Sequence, residues 1–260
     1  MAANLILAKI GTFILDIIFP IQCLSCSKEG EWICKECFKK IELLKKQACP
    51  ICGNESKGGA RCFNCRNKSE LDGVISAAAY WKPAAAGAKE TKNGLVKEAI
   101  HVFKYRFVKD LSKPLAELMR EQLKNRQIFR KEKPIPFGPD IENDKIVIPV
   151  PLHPKRLRWR GFNQAELLAK NLAKRLDLPL ENSVLARTKN NIPQVEIKDR
   201  KERMENIKGA FDCAESPKLK NKIVILVDDV CTTAGTLSEC AKALKNSGAR
   251  EVWGAVVARG

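Results

Sequence analysis

The chain has 260 residues, 47 Lys and Arg against 30 Asp and Glu, and a formal net charge of +17 with a pI near 9.5. That length holds one large domain or a medium domain with a small appendix. The charge points to an anionic partner without choosing between a phosphorylated small molecule, single-stranded nucleic acid and a ribosomal or membrane surface. Neither the Lys-containing P-loop nor the Gly-x-Gly-x-x-Gly dinucleotide turn occurs, which excludes two common nucleotide sites.

Residues 5–19 are mostly apolar, but Lys9 and Asp16 interrupt the run. No basic segment precedes it and no small-residue cleavage site ends it, so it does not read as a secretion signal. It is too short and too interrupted to span a bilayer, so no transmembrane segment is expected. It predicts an amphipathic or buried helix packed against the adjoining cysteine-rich segment. Eight of the eleven cysteines fall in the first quarter as four Cys-x-x-Cys pairs, Cys23/Cys26, Cys34/Cys37, Cys49/Cys52 and Cys62/Cys65. Two sulfurs on a tight turn can reach one metal, so such pairs are tetrahedral zinc ligands, and eight of them fill two structural sites with no position left open for catalysis. A disulfide framework would instead need an oxidising compartment; reduced thiols and a cytoplasmic protein are the expectation. Sequential pairing gives two short ribbons, and an interleaved cross-brace is the alternative. In Cys49-Pro-Ile-Cys-Gly the glycine lets the backbone turn back toward the metal. Residues 1–70 are thus assigned to a helix and double zinc ribbon, and 71–260 to a larger domain.

A strand is expected over 73–80, then a Pro/Ala/Gly-rich excursion over 82–94. Helices come next over 95–105 and 111–130, the second with Leu111, Leu115 and Leu118 on one face. A polar, Pro-rich connection, 131–145, leads to a short strand over 145–150 and a turn containing His153, Lys155 and Arg156. Between His153 and Arg175 seven Lys or Arg residues stand against one acid, Glu166. A helix over 164–176 ends before Pro179, and 183–186 reads as a strand. The segment 187–211 is long, charged and weakly periodic; loops of that length in compact domains are usually functional covers or disordered. A strand over 223–227, a helix over 237–246 with Gly248 as its C-cap and a strand over 251–258 complete the chain. Strands alternating with helices predict an α/β fold with a parallel sheet and right-handed crossovers.

The most informative stretch is 223–236, Ile-Val-Ile-Leu-Val-Asp-Asp-Val-Cys-Thr-Thr-Ala-Gly-Thr. Five consecutive apolar residues make a buried strand, which in an α/β sheet delivers the next residues to the carboxyl edge where ligands bind. Asp228 and Asp229 arrive there first. Thr232, Thr233, Ala234, Gly235 and Thr236 then offer backbone N–H groups and hydroxyls ahead of a helix whose dipole favours an anion. Either half alone is ordinary, because Asp starts turns and Thr caps helices. The order of the parts outlines a site for a ribose bearing a 5′-phosphate, and it resembles the phosphoribosyl-pyrophosphate (PRPP) motif of the type I phosphoribosyltransferases.

With Phe19-Pro-x-x-Cys-x-x-Cys, Phe103-Lys104-Tyr105-Arg106, the long run from Pro149 through His153, Gly161, Phe162, Asn163 and Gln164 to Glu166, and the segment from Gln194 through Arg203 and Asn206 to Phe211, the chain from about Leu15 to Arg259 resembles the ComF/GntX family of double-zinc-ribbon, phosphoribosyltransferase-like proteins. The excursion at 82–94 and the loop at 131–145 look longer than the family needs. The resemblance implies a type I phosphoribosyltransferase core in which Asp228 and Asp229 hold the ribose hydroxyls, residues 232–236 hold the 5′-phosphate, and His153, Lys155 and Arg156 lie near the pyrophosphate. Mg2+ would bridge pyrophosphate and ribose oxygens, and 187–211 would be the cover. Read from the residues themselves, His153 is rather a turn residue than a base, Lys155, Arg156, Arg158 and Arg160 suit a solvated helix entry as well as a phosphate, and Cys213, Cys231 and Cys240 are small packing residues. No catalytic group is identified.

Two functions are compatible with these residues. One is transfer of the phosphoribosyl group from PRPP to a nitrogen nucleophile, for which the chain carries no acceptor motif. The other, implied by a family associated with natural competence, is handling of single-stranded DNA together with DNA-processing proteins. Trp159 and Phe162 interleaved with Arg158 and Arg160 offer an aromatic platform in a basic stripe, or pack the helix after them.

Overall fold

The computed structural model describes residues 20–80, 94–124, 144–189, 205 and 207–260. The helix expected at 5–19, the excursion at 82–93, the stretch at 125–143, and residues 190–204 and 206 of the long charged segment lie outside them.

Six strands are described: β1 (Gly73–Ala79), β2 (Lys145–Pro149), β3 (Leu185–Arg187), β4 (Phe211–Cys213), β5 (Ile223–Cys231) and β6 (Glu251–Arg259). Four of them form a parallel sheet in the order β1-β6-β5-β2, and β3 pairs antiparallel with β4. The helices are α1 (Lys35–Lys39), α2 (Gly94–Tyr105), α3 (Ser112–Lys124), α4 (Pro154–Arg160), α5 (Gln164–Leu176) and α6 (Gly235–Asn246). The expected α/β fold with its parallel sheet is present, and α5 spans the residues that the sequence predicts.

The apolar runs of the strands are explained by burial on both faces. Successive side chains of β5 alternate: Ile225 and Val227 join the cluster containing α2, α3 and α5, while Val224 and Leu226 join the one containing α6, β3 and β4. Each fully buried Leu or Ile here contributes about 1.5–3 kcal/mol. On α5 the buried stripe is Ala165, Leu168, Ala169, Leu172 and Ala173, one face at helical spacing. Asn163 starts that helix, its side chain accepting from the Ala165 N–H at 3.1 Å and donating to the Val150 carbonyl, and Asp177 ends it in the left-handed region.

The cysteine-rich segment covers the open edge of the sheet. The Leu44 N–H donates to the Ala77 carbonyl at 2.8 Å, and the buried Gln47 amide accepts from the Ser76 N–H and donates to the Ser76 carbonyl, supplying β1 with the partners that a further strand would give. Arg259, at the end of β6, donates to the Ala48 and Cys49 carbonyls. Gly59 sits where a Cβ would meet the Val74 carbonyl oxygen at 2.0 Å and has φ +84°, so both space and backbone require glycine there.

Several expectations need correction. The turn after Val150 is a helix, α4, begun by Pro154 at its first position and closed by Gly161 at φ 75°; its seven residues, none of them buried, show no apolar period. The strand expected at 183–186 starts at Leu185 and reaches Arg187, because it pairs with Phe211–Cys213. The long charged segment is therefore tied at its base by a two-stranded ladder. Helix α6 begins at Gly235, so Gly235 and Thr236 are already helical. Cys240 is fully buried, whereas Cys213 is only half-buried.

Candidate functional site

Strand register opens the site. Pro149, the last residue of β2, pairs with Val227, and the Val150 N–H closes that ladder on the Val227 carbonyl. Strand β5 continues beside β6, with Asp228 opposite Val256 and Cys231 opposite Arg259. Asp228 and Asp229 therefore sit where one neighbouring strand has ended and the other has not, at a crevice on the carboxyl edge of the sheet.

Asp229 is buried, with 7% of its surface exposed, and Asp228 is partly buried. The Asp229 N–H donates to Asp228 Oδ1 at 2.8 Å. Lys104, in the last turn of α2, places its Nζ 2.6 Å from Asp229 Oδ1. Burial, and then the Asp229 carboxylate, push the Asp228 carboxyl up to about 7, against the pull of Lys104 and the Asp229 N–H. For Lys104 burial works against the charge, but Asp229 and then Asp228 outweigh it and hold its proton more tightly than usual. Arg160 and Arg187 also act on the two carboxylates from α4 and β3, and burial makes both guanidiniums weaker bases than usual. The Nε of Arg160 is buried without a hydrogen-bond partner, while its Nη1 donates to Gln164 Oε1 at 2.7 Å.

Beyond β5 the chain turns through Ala234, whose φ of 56° is uncommon for a residue with a Cβ. Ala234 is the N-cap of α6 and has no side-chain oxygen, so it makes no capping bond to the N–H groups of the first turn. Thr232 is exposed, Thr233 and Thr236 are half-buried, and Ala234 and Gly235 are buried. Thr232, Thr233 and Ala234 thus form a tight turn at the end of β5, and Gly235 and Thr236 open α6.

His153 is the N-cap of α4, its Nδ1 accepting from the Lys155 N–H at 3.2 Å. Burial, and then Arg187 and Arg156, make it a weaker base than usual. Lys155 is exposed and Arg156 half-buried on the same helix. Phe162 is buried at 7% and packs on Phe103, so it belongs to the core and not to the surface platform. Its place is taken by Phe107, which meets the exposed Trp159 edge to face at 5.7 Å. Tyr105 is also exposed, and the Arg160 guanidinium lies 5.7 Å from its ring and 5.6 Å from that of Trp159. The sequence did not single out Lys104, Tyr105 or Phe107 as site residues; a Lys-Tyr at the end of an amphipathic helix carries no spacing signal toward Asp229.

The eight N-terminal thiols meet in two groups, Cys23, Cys26, Cys34 and Cys37, and Cys49, Cys52, Cys62 and Cys65, each with its sulfurs within 4.8 Å of one another. This is the sequential arrangement. Cys26 and Cys34 sulfurs are 3.6 Å apart and those of Cys52 and Cys62 3.7 Å, close to the roughly 3.8 Å edge of a tetrahedron with zinc–sulfur bonds of about 2.3 Å. The donor sets therefore fit two structural zinc ions.

Residues 14–66 match the double zinc ribbon domain, and residues 163–260 match the phosphoribosyl transferase domain. Competence protein F of Haemophilus influenzae is 31% identical over 247 residues, covering 91% of this chain and 96% of that protein. DNA utilization protein YhgH of Escherichia coli K12 is 29% identical over 230 residues, covering 86% and 90%. Competence protein ComFC of Bacillus subtilis is 27% identical over 230 residues, covering 85% and 81%.

Proposed function

The chain belongs to the ComF family, which joins a double zinc ribbon to a phosphoribosyltransferase-like domain, and on that premise we propose that the crevice beside β5 binds PRPP or a related ribose 5-phosphate ligand. In this reading Asp228 and Asp229 accept from the ribose hydroxyls, and Thr232, Thr233, Ala234, Gly235 and Thr236 surround the 5′-phosphate. Lys155 and Arg156 lie on the pyrophosphate side, where His153 holds α4 by its cap. The observation that carries the reading is the carboxylate pair followed, after the end of β5 and a short turn, by a helix N-terminus without a side-chain cap, one part suited to a diol and the other to a phosphate. The buried, unpartnered Nε of Arg160 adds a donor suited to an anionic oxygen. Carboxylate oxygens also suit Mg2+, which when bound with the ligand would neutralise pyrophosphate charge.

Transfer to a nitrogen nucleophile would form a carbon–nitrogen bond at the anomeric carbon as the bond to pyrophosphate breaks. Arg160, Lys155 and Arg156 would stabilise the charge that collects on the departing pyrophosphate. Residues 1–70 are assigned to the zinc module and 71–260 to the ligand-binding domain. Thiols gathered in fours must stay reduced to hold zinc, which suits a cytoplasmic protein. No helix of the described residues is long and apolar enough to cross a membrane. Isothermal titration of PRPP with Mg2+ into wild-type protein and Asp229→Asn tests the site. Saturable binding that the substitution removes is expected, and a flat wild-type titration would sink the reading.

A second reading, single-stranded DNA handling, is favoured by the surface of Tyr105, Phe107 and Trp159 among Arg106, Lys109, Lys155 and Arg158. Exposed rings stack bases while neighbouring cations meet phosphates. The names of the relatives, competence protein and DNA utilization protein, point the same way. Fluorescence anisotropy with an oligonucleotide should show affinity that falls steeply with salt and is weakened by Trp159→Ala. Affinity indifferent to both would remove this reading.

A further inference from the structure

We propose that Lys104 is the resident counter-ion of the paired carboxylates, occupying at Asp229 the place that a divalent cation would take, so that the site accepts metal together with an anionic ligand rather than alone. This rests on the sugar-phosphate reading above and assigns a positioning residue to it.

Three observations carry the assignment. First, the ammonium lies 2.6 Å from Asp229 Oδ1, with 21% of the Lys104 side chain and 10% of the Asp229 side chain exposed, so the pair is largely withdrawn from water. Second, the backbone that carries Lys104 is anchored. Ile100 and Phe103 in the same last turns of α2 are fully buried, and Phe103 packs on Phe162, which fixes the helix end against the chain that leads into α5. Third, Asp228 and Asp229 are consecutive and coupled through the Asp229 N–H, so the crevice gathers two carboxylates within one step of backbone.

Adjacent buried carboxylates need a cation, and a lysine supplies one as a compact point charge. Magnesium demands oxygen ligands at about 2.0–2.1 Å and gives up its waters reluctantly. Free metal could take Asp229 only by expelling an ammonium that is already in contact. An anionic ligand changes that balance, because it offers Lys104 other oxygens. With three donors and one carboxylate contact, the ammonium can turn to a ligand phosphate oxygen while Asp229 accepts from a ribose hydroxyl. Lys104 would thus link the charge of the ligand to the freedom of the carboxylate.

The test needs no PRPP. Zinc-loaded, full-length protein is titrated calorimetrically with Mn2+ alone as wild type, Lys104→Gln, Lys104→Arg and Lys104→Gln/Asp229→Asn. Circular dichroism and thermal melts verify that each variant is folded. Lys104→Gln should bind Mn2+ about tenfold more tightly than wild type, the scale of a close charge–charge coupling. Lys104→Arg, which keeps the cation, should stay at the wild-type level, and the double variant should lose the gain. Equal Mn2+ affinity in wild type and Lys104→Gln, or a gain that survives Asp229→Asn, overturns the proposal. A separate titration with Mg2+ and PRPP keeps the two ideas distinguishable: the Mn2+ ranking judges the counter-ion, and PRPP binding judges the ligand.

Discussion

Replacing Asp228 by Asn should stabilise this protein at neutral and alkaline pH. The folded chain raises the Asp228 carboxyl from its ordinary 3.8 to about 7, chiefly through burial and then through the neighbouring Asp229. Between those values the native state binds more protons than the unfolded state, so stability falls as pH rises, and the loss is complete above the folded value. A rise of that size corresponds to at most about 4 kcal/mol. Because Lys104 and Asp229 share the charge, about half of that, roughly 2 kcal/mol, is expected, or about 4–8 °C in Tm for a chain of this size. Asn keeps an oxygen for the Asp229 N–H and introduces no charge. Calorimetric melts of wild type and Asp228→Asn at pH 5 and pH 8 measure the effect. About a third of the difference should already be present at pH 5, and the gap should widen to its full size by pH 8 with Asn the more stable. Parallel curves, or a less stable Asn variant at pH 8, would refute the electrostatic account of the site.

The packing leads to three other expected outcomes. Glu181 is buried and its carboxyl is held at about 2 by Lys218 and then Ser183; that stability is present above the ordinary carboxylate range and lost as pH falls toward 2. Since Lys218 is exposed, Glu181→Gln should cost about 1–2 kcal/mol at pH 7, with the difference from wild type gone near pH 2 in thermal melts. Chelation of zinc should unfold the ribbons and, through Leu44, Gln47 and Arg259, raise amide hydrogen exchange along β1; unchanged exchange at Gly73–Ala79 would disprove that coupling. Arg259→Ala, which strands the Ala48 and Cys49 carbonyls, should cost about 1–3 kcal/mol by denaturant titration without altering the zinc content read by metal analysis.

Local pattern carried much of this protein. Four Cys-x-x-Cys pairs determine zinc chemistry because two thiolates on one turn reach one metal wherever the chain lies. The apolar run before Asp228 determines a buried strand, since five such residues in a row cannot face water on either side of a sheet. The α5 boundaries were legible because Asn163 caps one end and the apolar period stops at the other. Where the signal was short, the reading was coarser: the brief helix at Pro154–Arg160 has no measurable period, and the strand expected at 183–186 lies at Leu185–Arg187, its ends set by pairing with Phe211–Cys213.

Which residues meet across the fold was beyond the reach of local pattern. Lys104 and Asp229 are separated by most of the domain and joined by no spacing rule; the parallel sheet and the packing of α2 bring them to 2.6 Å. Phe107 replaces Phe162 beside Trp159 because Phe162 gains more by burial against Phe103 than by exposure. The cysteines were bound to gather by their own chemistry, whereas Gln47 became a surrogate strand partner because the ribbon settled on the edge of β1. The ligand-forming elements could be read from the chain, since they depend on neighbours along it. The electrostatic character of the site came from assembly, because charge interactions depend on distance and burial, and both are set when α2, α4 and β3 close around the end of β5.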